Sequence, residues 1–491
     1  MAGTRDGVVI GRDVAAAADA AYDLVVVGGG IYGVCATLEA ARRGKRVLLL
    51  EKRDYGSGTS FHSLRILHGG LRYLQSMDVR RFRDSVGERR WFMANFPELC
   101  VPLNCLMPLY NRGLKRPGVF RMALCLNEMM SFDRHRGVPA AARLSRGRVL
   151  SASATAAAFE RVDPKGLKGA AQWTDGLMRS SERVQIELHR WAAACGAVQL
   201  NYVEAAGLTR EGDSVAGVEA VDAVTGETVV FKTARVLNCA GGWCRSVAGA
   251  MDRDVPRLFP RSLAFNLVLD VPALSDSAVA VAPRGSGDMY FLVPWRGGVH
   301  AGTYHLAWEG KDADDRTPPT EAVERFLADL NAAVPGWGVG PADVRYVYAG
   351  QLPAVRAGAA AMSHVAPFHD HGGGLFSLAG HKYTTARLEA LRALRRMFKG
   401  EPFAVRPDTD RPEGSGGGPW DGADGVIGAR GWQDRLGRLA DEESVVYLDD
   451  LVMRRLDGVG SADAVATLRD AAAGVLRAKG YDAERLRETN R

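Results

Sequence analysis

Tyr22-Asp23-Leu24-Val25-Val26-Val27-Gly28-Gly29-Gly30-Ile31-Tyr32-Gly33, then an alanine-rich run to Arg43, then Gly44-Lys45-Arg46-Val47-Leu48-Leu49-Leu50-Glu51, is the stretch that decides the fold. The β-branched run before Gly28 predicts a strand, the alanine-rich run a helix, and Val47 to Leu50 a second strand closed by an acid. Strand, glycine turn, helix, strand and acid is the order a dinucleotide site needs. The turn brings backbone N–H groups and the positive end of the helix against a pyrophosphate. Gly28 then makes the tight turn, Gly30 lets a phosphate approach, Gly33 lets the helix pack on the strand, and Glu51 accepts hydrogen bonds from a ribose. Three glycines alone are a weak signal. The flanking strands, the helix and the acid make this one specific.

The chain has 491 residues, more than the roughly 250–300 that one hydrophobic core usually serves, so two or three domains are expected. A hydrophobic content of 47% and a charged content of 24% describe an ordinary globular protein, and a net charge of +6 at this length argues against a dedicated nucleic-acid binder. The seven cysteines are scattered without a C-x-x-C pair, which suits a reducing compartment and neither a disulfide framework nor a zinc site. Charges at Arg5, Asp6, Arg12, Asp13 and Asp19 interrupt the N-terminal alanines, so no signal peptide or anchor is expected there. With no apolar run of the roughly 18 residues a spanning helix needs, the expected location is the cytoplasm, with attachment to a membrane surface left open.

After Glu51 comes Lys52 to Ser60, a loop of glycine and hydroxyl residues suited to supplying further donors to phosphates. Phe61 to Leu74 follows, dense in cations and glycine as a site-lining loop would be. Five ordered stretches carry a resemblance: the glycine turn, Gly58-Thr59-Ser60 with Leu67-His68-Gly69-Gly70-Leu71-Arg72-Tyr73-Leu74, Trp173-Thr174-Asp175-Gly176, Asn238-Cys239-Ala240-Gly241-Gly242-Trp243, and Gly380-His381-Lys382-Tyr383-Thr384-Thr385-Ala386-Arg387. Together with the helical tail from Glu442 to Arg455, they resemble the FAD-dependent glycerol-3-phosphate dehydrogenases of the D-amino-acid oxidase superfamily from about residue 20 to the end.

The resemblance implies an α/β fold: a Rossmann-type FAD-binding domain, a mixed β-sheet substrate domain and a C-terminal helical cap. The expected FAD-binding parts are residues 20–80, 161–260 and 351–405, with a basic, partly helical segment of the substrate and cap region at 81–160, the substrate domain at 261–350, a linker at 406–431 and the helical domain at 432–491. Ser461 is expected to cap a helix whose Val465, Leu468, Ala472 and Leu476 share a face. For the cofactor it implies Gly28, Gly30, Gly33, Glu51, Lys52, Thr59 and Ser60 at the nucleotide, then His68 and Gly69, a backbone contact at Val203, the turn at Ala240, Gly241 and Trp243, and the motif Gly380, Lys382, Tyr383, Thr384 and Thr385. The helix starting at Thr384 would turn its positive end to the reduced flavin. Arg72, Tyr73 and Lys382 match residues that face the substrate. His381, beside Lys382, is a candidate base for a hydroxyl proton or a histidine bonded to backbone at a helix entry, and His305 is its rival.

The departures from the family pattern concern the substrate end. Leu352 stands where the family has a substrate arginine, the neighbourhood of Ser363-His364 lacks a second arginine, and Leu263 stands where a histidine is expected. Gly302-Thr303-Tyr304-His305 replaces Gly-Thr-Thr-Asp, which brings Tyr304 into the substrate set. A leucine cannot replace a planar, permanently charged fork on a phosphate, so the phosphate end of the pocket is expected to be rebuilt, with Arg261, Arg356 or His364 as substitutes. His369-x-His371 reads as a polar loop, and no metal is expected.

Cations outnumber acids between residues 79 and 148, with apolar residues interleaved, as at Trp91-Phe92-Met93 and Val119 to Leu124. Such a segment is either a solvated face or, as the resemblance suggests, a contact with an anionic membrane. The expectation is an FAD-dependent oxidoreductase that passes hydride from a C–OH carbon to flavin N5, on a small-molecule alcohol other than glycerol 3-phosphate. Quinone or oxygen is the acceptor, and a homodimer is carried alongside. The alternatives are a true glycerol-3-phosphate dehydrogenase, an amine or amino-acid oxidase, and a non-catalytic flavin-binding paralogue.

Overall fold

The computed structural model describes residues 8–110, 116–251, 258–283, 287–308, 310, 314–412, 431–458, 462–482 and 484–486. The opening stretch folds as strand Leu24–Val27, helix Ile31–Ala41 and strand Val47–Glu51. All eleven residues of that helix are buried, because it is wedged between the helices Ser181–Ala194 and Ala386–Met397. Its small residues Gly33, Ala36 and Ala40 permit that approach; a Cβ on Gly33 would lie 1.8 Å from the Gly28 carbonyl oxygen.

A six-stranded sheet holds these strands in the order Phe368–Gly372, Leu375–Leu378, Val236–Asn238, Leu24–Val27, Val47–Glu51 and Val198–Asn201. All neighbours are parallel except the first pair. Leu24–Val27 therefore sits centrally, buried on both faces as its unbroken apolar run requires. The antiparallel strands Ser214–Asp222 and Thr228–Thr233 form a separate four-stranded sheet with Val203–Glu211 and Ala21–Tyr22.

The nine-stranded sheet of the substrate side contains Val344–Pro353, Arg261–Leu269, Gly298–Ala307, Tyr290–Trp295 and Ala278–Val281, joined to Cys100–Leu109 and Gly169–Met178. Strand pairing bears on one expected boundary. Gly169–Met178 pairs with Cys100–Leu109 along its whole length, so it belongs to the substrate sheet rather than to the second FAD-binding part. The same pairing ties the basic segment into the substrate domain.

The C-terminal helices Trp432–Glu442 and Ala462–Ala478 do not form an independent body. Leu436, Leu439, Leu451, Leu468, Ala472 and Leu476 share one core with Leu24, Ile31 and Leu38 of the nucleotide fold. Buried ion pairs add to that seam: Arg455 and Arg454 on Asp54, Arg183 on Glu443 at 2.7 Å, and Arg65 on Asp457 and Glu182, each at 2.9 Å. Ser461 and residues 413–430 of the expected linker lie outside the described residues.

Candidate functional site

A cavity of about 1900 Å³ opens where the six-stranded sheet, the loop 52–76 and the substrate sheet meet. Its walls bring together Gly28, Gly30, Glu51, Lys52, Thr59, Ser60, His68, Arg72 and Tyr73 from the first part of the chain. Ala240, Gly241, Trp243, Tyr304, His305, Gly380, His381, Lys382, Tyr383, Thr384 and Thr385 join them from distant segments. Five expected residues do not line it, Arg261 among them. Gly33 works behind the wall as a packing glycine, and Val203 is fully buried in the core while its neighbours Glu204 and Ala205 face the cavity. Gly69 makes room for Arg89, whose Nη1 is 2.0 Å from where a Cβ would stand. Arg356 is exposed and outside the cavity, which removes it from the substrate set.

At the nucleotide end, Gly28 has φ +105°, and a Cβ there would meet the Cys239 carbonyl oxygen at 2.8 Å. Ser60 Oγ accepts the Ile31 N–H at 2.9 Å, and a Cβ on Gly30 would lie 3.1 Å from that oxygen. Glu51 accepts the N–H of Gly29 at 2.6 Å and of Arg53 at 2.9 Å. Burial raises its carboxyl, and those two N–H groups pull the other way. The acid thus braces the turn that holds the dinucleotide while lining the same space. This cradle of glycines and helix N-terminus fits the diphosphate of FAD, and Thr384 and Thr385, at the entry to Ala386–Met397, fit its ring end.

Three residues without an expected role position the loops. Asp175 accepts from the Gly69 N–H at 2.7 Å, from Trp173 Nε1 at 3.1 Å and from Arg89, and lies 3.6 Å from His68 Nδ1. Burial alone would raise its carboxyl, but His68, Arg89 and the Gly69 N–H outweigh it and hold it well below the usual range. Tyr32 fixes the other motif: its ring occupies the space a Gly380 side chain would need, and its hydroxyl donates to the Lys382 carbonyl at 3.2 Å. Arg65, buried with φ +65°, anchors the 61–68 loop to the C-terminal segment through Asp457. The signals were an acid inside an apolar strand, an aromatic in a glycine turn and an arginine between apolar residues, none of which names its partner.

At the substrate end Lys382 Nζ contacts the Tyr73 hydroxyl and stands 4.6 Å from the ring centroid. Burial, then the charge of Arg72, lowers its pKa to about 8. Burial also lowers His381 to about 4, assisted by Arg81 and His364, and lowers His305. Burial thus favours the neutral form of both imidazoles, and the Nδ1 atoms of both are buried without a hydrogen-bond partner. Leu352 lines the wall, while Leu263 points into the substrate-domain core; strand alternation gives the cavity its neighbours Ala264 and Asn266 instead. Arg261 donates to Gln351 Oε1 at 2.9 Å and to the Gly310 carbonyl at 2.7 Å, outside the cavity lining. Of the three substitutes only His364 reaches the space.

The family model for FAD dependent oxidoreductases matches residues 23–388. A glycerol-3-phosphate dehydrogenase of Synechocystis sp. is 32% identical over 385 residues, covering 75% of this chain and 68% of that one. An aerobic glycerol-3-phosphate dehydrogenase of Staphylococcus epidermidis is 30% identical over 389 residues, covering 78% and 68%. Among solved structures, a glycerol-3-phosphate dehydrogenase from Bacillus halodurans complexed with FAD superposes with a TM-score of 0.73 at 21% identity, covering 96% of this chain and 94% of that one. The family match over most of the chain, joined to a cavity built for a dinucleotide, makes this chain a member of the FAD-dependent oxidoreductase family, of the glycerol-3-phosphate dehydrogenase type.

Proposed function

We propose that this oxidoreductase acts on a small-molecule alcohol other than glycerol 3-phosphate. The observation that carries the reading is the wall formed by Leu352, Ala264 and Ser363, which presents no guanidinium where the family resemblance expects phosphate ligands. Bound FAD supplies a two-electron acceptor for the C–H bond. The chain's own residues hold the alcohol and take its proton. Lys382, Tyr73 and Arg72 orient the substrate, and the neutral imidazole of His381, which lines the cavity, accepts the hydroxyl proton, with His305 as the rival base. Tyr304, on the substrate sheet, closes the opposite wall.

Membrane attachment extends the reading. The helix Pro117–Met130 buries only Phe120 and Leu124, leaving Met122 and Met129 exposed, and Phe132 just beyond it is 80% exposed. Met77 and Val79 are exposed as well, and Arg80, Arg121 and Arg136 are exposed cations of the same segment. Apolar side chains among cations suit an anionic bilayer surface, and a quinone dissolved in it is then the nearest electron acceptor. Among the described residues no helix is long and apolar enough to cross a membrane.

The test is anaerobic bleaching of the bound flavin by a panel of glycerol 3-phosphate, other phosphorylated alcohols, hydroxy acids, neutral polyols and amines. The expected result is bleaching by an alcohol in preference to glycerol 3-phosphate. Fast bleaching by glycerol 3-phosphate overturns the altered specificity, bleaching by amines alone reassigns the donor, and no bleaching by any compound supports the non-catalytic alternative.

A further inference from the structure

We infer that Arg81 joins Arg72 and Lys382 in an anion-binding subsite, so that the acidic group of the substrate is held from the helix Val79–Asn95 rather than from the substrate sheet. This rests on the proposed alcohol oxidation for the word substrate, and on geometry alone for the anion. Arg81 lies in the first turn of that helix and lines the cavity. Its guanidinium stands 5.7 Å from the centroid of the Tyr73 ring, the same ring whose hydroxyl Lys382 Nζ contacts, 4.6 Å from the centroid. One aromatic side chain therefore gathers two cations, with Arg72 adjacent in sequence.

The charge balance at this end is uneven. Asp78, whose carboxylate lies 3.1 Å from Arg81 Nε, is the local acid, and both groups are partly exposed. Among the described residues no carboxylate pairs with Arg72 or Lys382. Three permanent or near-permanent cations facing one carboxylate repel one another, and the repulsion registers on the neighbours: Arg72 depresses Lys382, and Arg81 depresses His381. A bound anion relieves that repulsion, and the planar forks of two arginines suit the paired oxygens of a phosphate or a carboxylate. The opposite wall offers Leu352 in place of such a fork. Anion recognition has changed walls rather than disappeared, and an anion held from this helix places the rest of the molecule differently, which accounts for a preference away from glycerol 3-phosphate.

The experiment titrates the FAD-loaded protein with inorganic phosphate and, separately, with acetate, following the flavin absorbance and the heat of binding. Arg81→Gln, Arg81→Lys and the exposed Arg356→Ala are compared with the unaltered chain. The expected result is binding of at least one anion, weakened about tenfold or more by Arg81→Gln, partly restored in Arg81→Lys and unchanged in Arg356→Ala. Whichever of phosphate and acetate binds more tightly names the acidic group. Equal affinities in Arg81→Gln and the unaltered chain, no binding of either anion, or an equal loss in Arg356→Ala overturns the subsite. The two readings separate cleanly. Anion affinity that is unchanged in Arg81→Gln while an alcohol still bleaches the flavin sinks the subsite and leaves alcohol oxidation standing, whereas Arg81-dependent anion binding without bleaching by any alcohol does the reverse.

Discussion

Lys382 and Tyr73 are 309 residues apart in the chain, yet the ammonium of the first contacts the hydroxyl of the second, 4.6 Å from its ring centroid. The contact joins the glycine-rich loop of the first FAD-binding part to the last motif of the fold, and it places a cation with a depressed pKa at the substrate end. Burial, followed by Arg72, holds Lys382 at about 8, so it is charged below that pH and loses its proton above it. Affinity for acetate, whose own charge does not change above pH 6, is therefore expected to be flat from pH 6 to 7.5 and to fall as pH rises through 8. Lys382→Arg should carry the plateau beyond pH 9, since a guanidinium stays protonated there. A pH profile of acetate binding without an inflection near 8 in the unaltered chain contradicts this assignment.

His381 and His305 compete for one role. With His381 lowered to about 4, its imidazole is a neutral acceptor throughout the neutral range. His381→Asn is expected to slow flavin reduction by about 10²–10⁴-fold while the protein retains its FAD. Stopped-flow reduction under anaerobic conditions measures the rate, and the flavin-to-protein absorbance ratio measures retention. Undiminished reduction in this variant, with loss in His305→Asn, moves the role to His305.

Asp54 couples the nucleotide fold to the C-terminal helices. Burial alone would raise its carboxyl, but Arg455 and Arg454 outweigh burial and hold it at about 2. Because the folded value lies below the unfolded one of about 3.9, the stabilisation is complete above pH 4 and disappears as pH falls towards 2. Asp54→Ala leaves Arg455 with carbonyl acceptors alone and Arg454 with Asp450 at 2.8 Å, and is expected to cost about 3–5 kcal/mol at pH 7. Urea unfolding at pH 7 reads that loss. A variant within about 1 kcal/mol of the unaltered chain would show that the pairs contribute little to the seam.

Gly33→Ala tests the turn. The added Cβ would fall 1.8 Å from the Gly28 carbonyl oxygen, a backbone atom that cannot rotate away. The expected outcome is a protein purified with little flavin and a lowered melting temperature. Full flavin content would show that helix and strand can separate without harm to the site.

The exposed apolar face is tested by sedimentation with vesicles. Met122→Glu combined with Met129→Glu is expected to abolish binding to phosphatidylglycerol vesicles without altering flavin content, because both side chains project from the helix Pro117–Met130 into solvent. Retention of vesicle binding in the double variant would place the contact elsewhere.

The sequence by itself determined the nucleotide half of this protein. Gly28, Gly30 and Gly33 answer to local constraints, a positive φ, a close approach and a packing contact, and such constraints are written within a few residues of one another. The ordered motifs around Thr59, Gly241 and Thr384 extended that reading to FAD, because each repeats a local backbone shape. Tertiary structure alone decided the rest. It moved Gly169–Met178 into the substrate sheet through pairing with Cys100–Leu109, and it set Gly69 against Arg89 and Asp175. It left Arg356 in solvent and brought Arg81 to the ring of Tyr73. A charge on a helix has no direction until the helix is docked. Which cations share a cavity, and therefore which substrate they hold, is settled by packing between segments hundreds of residues apart.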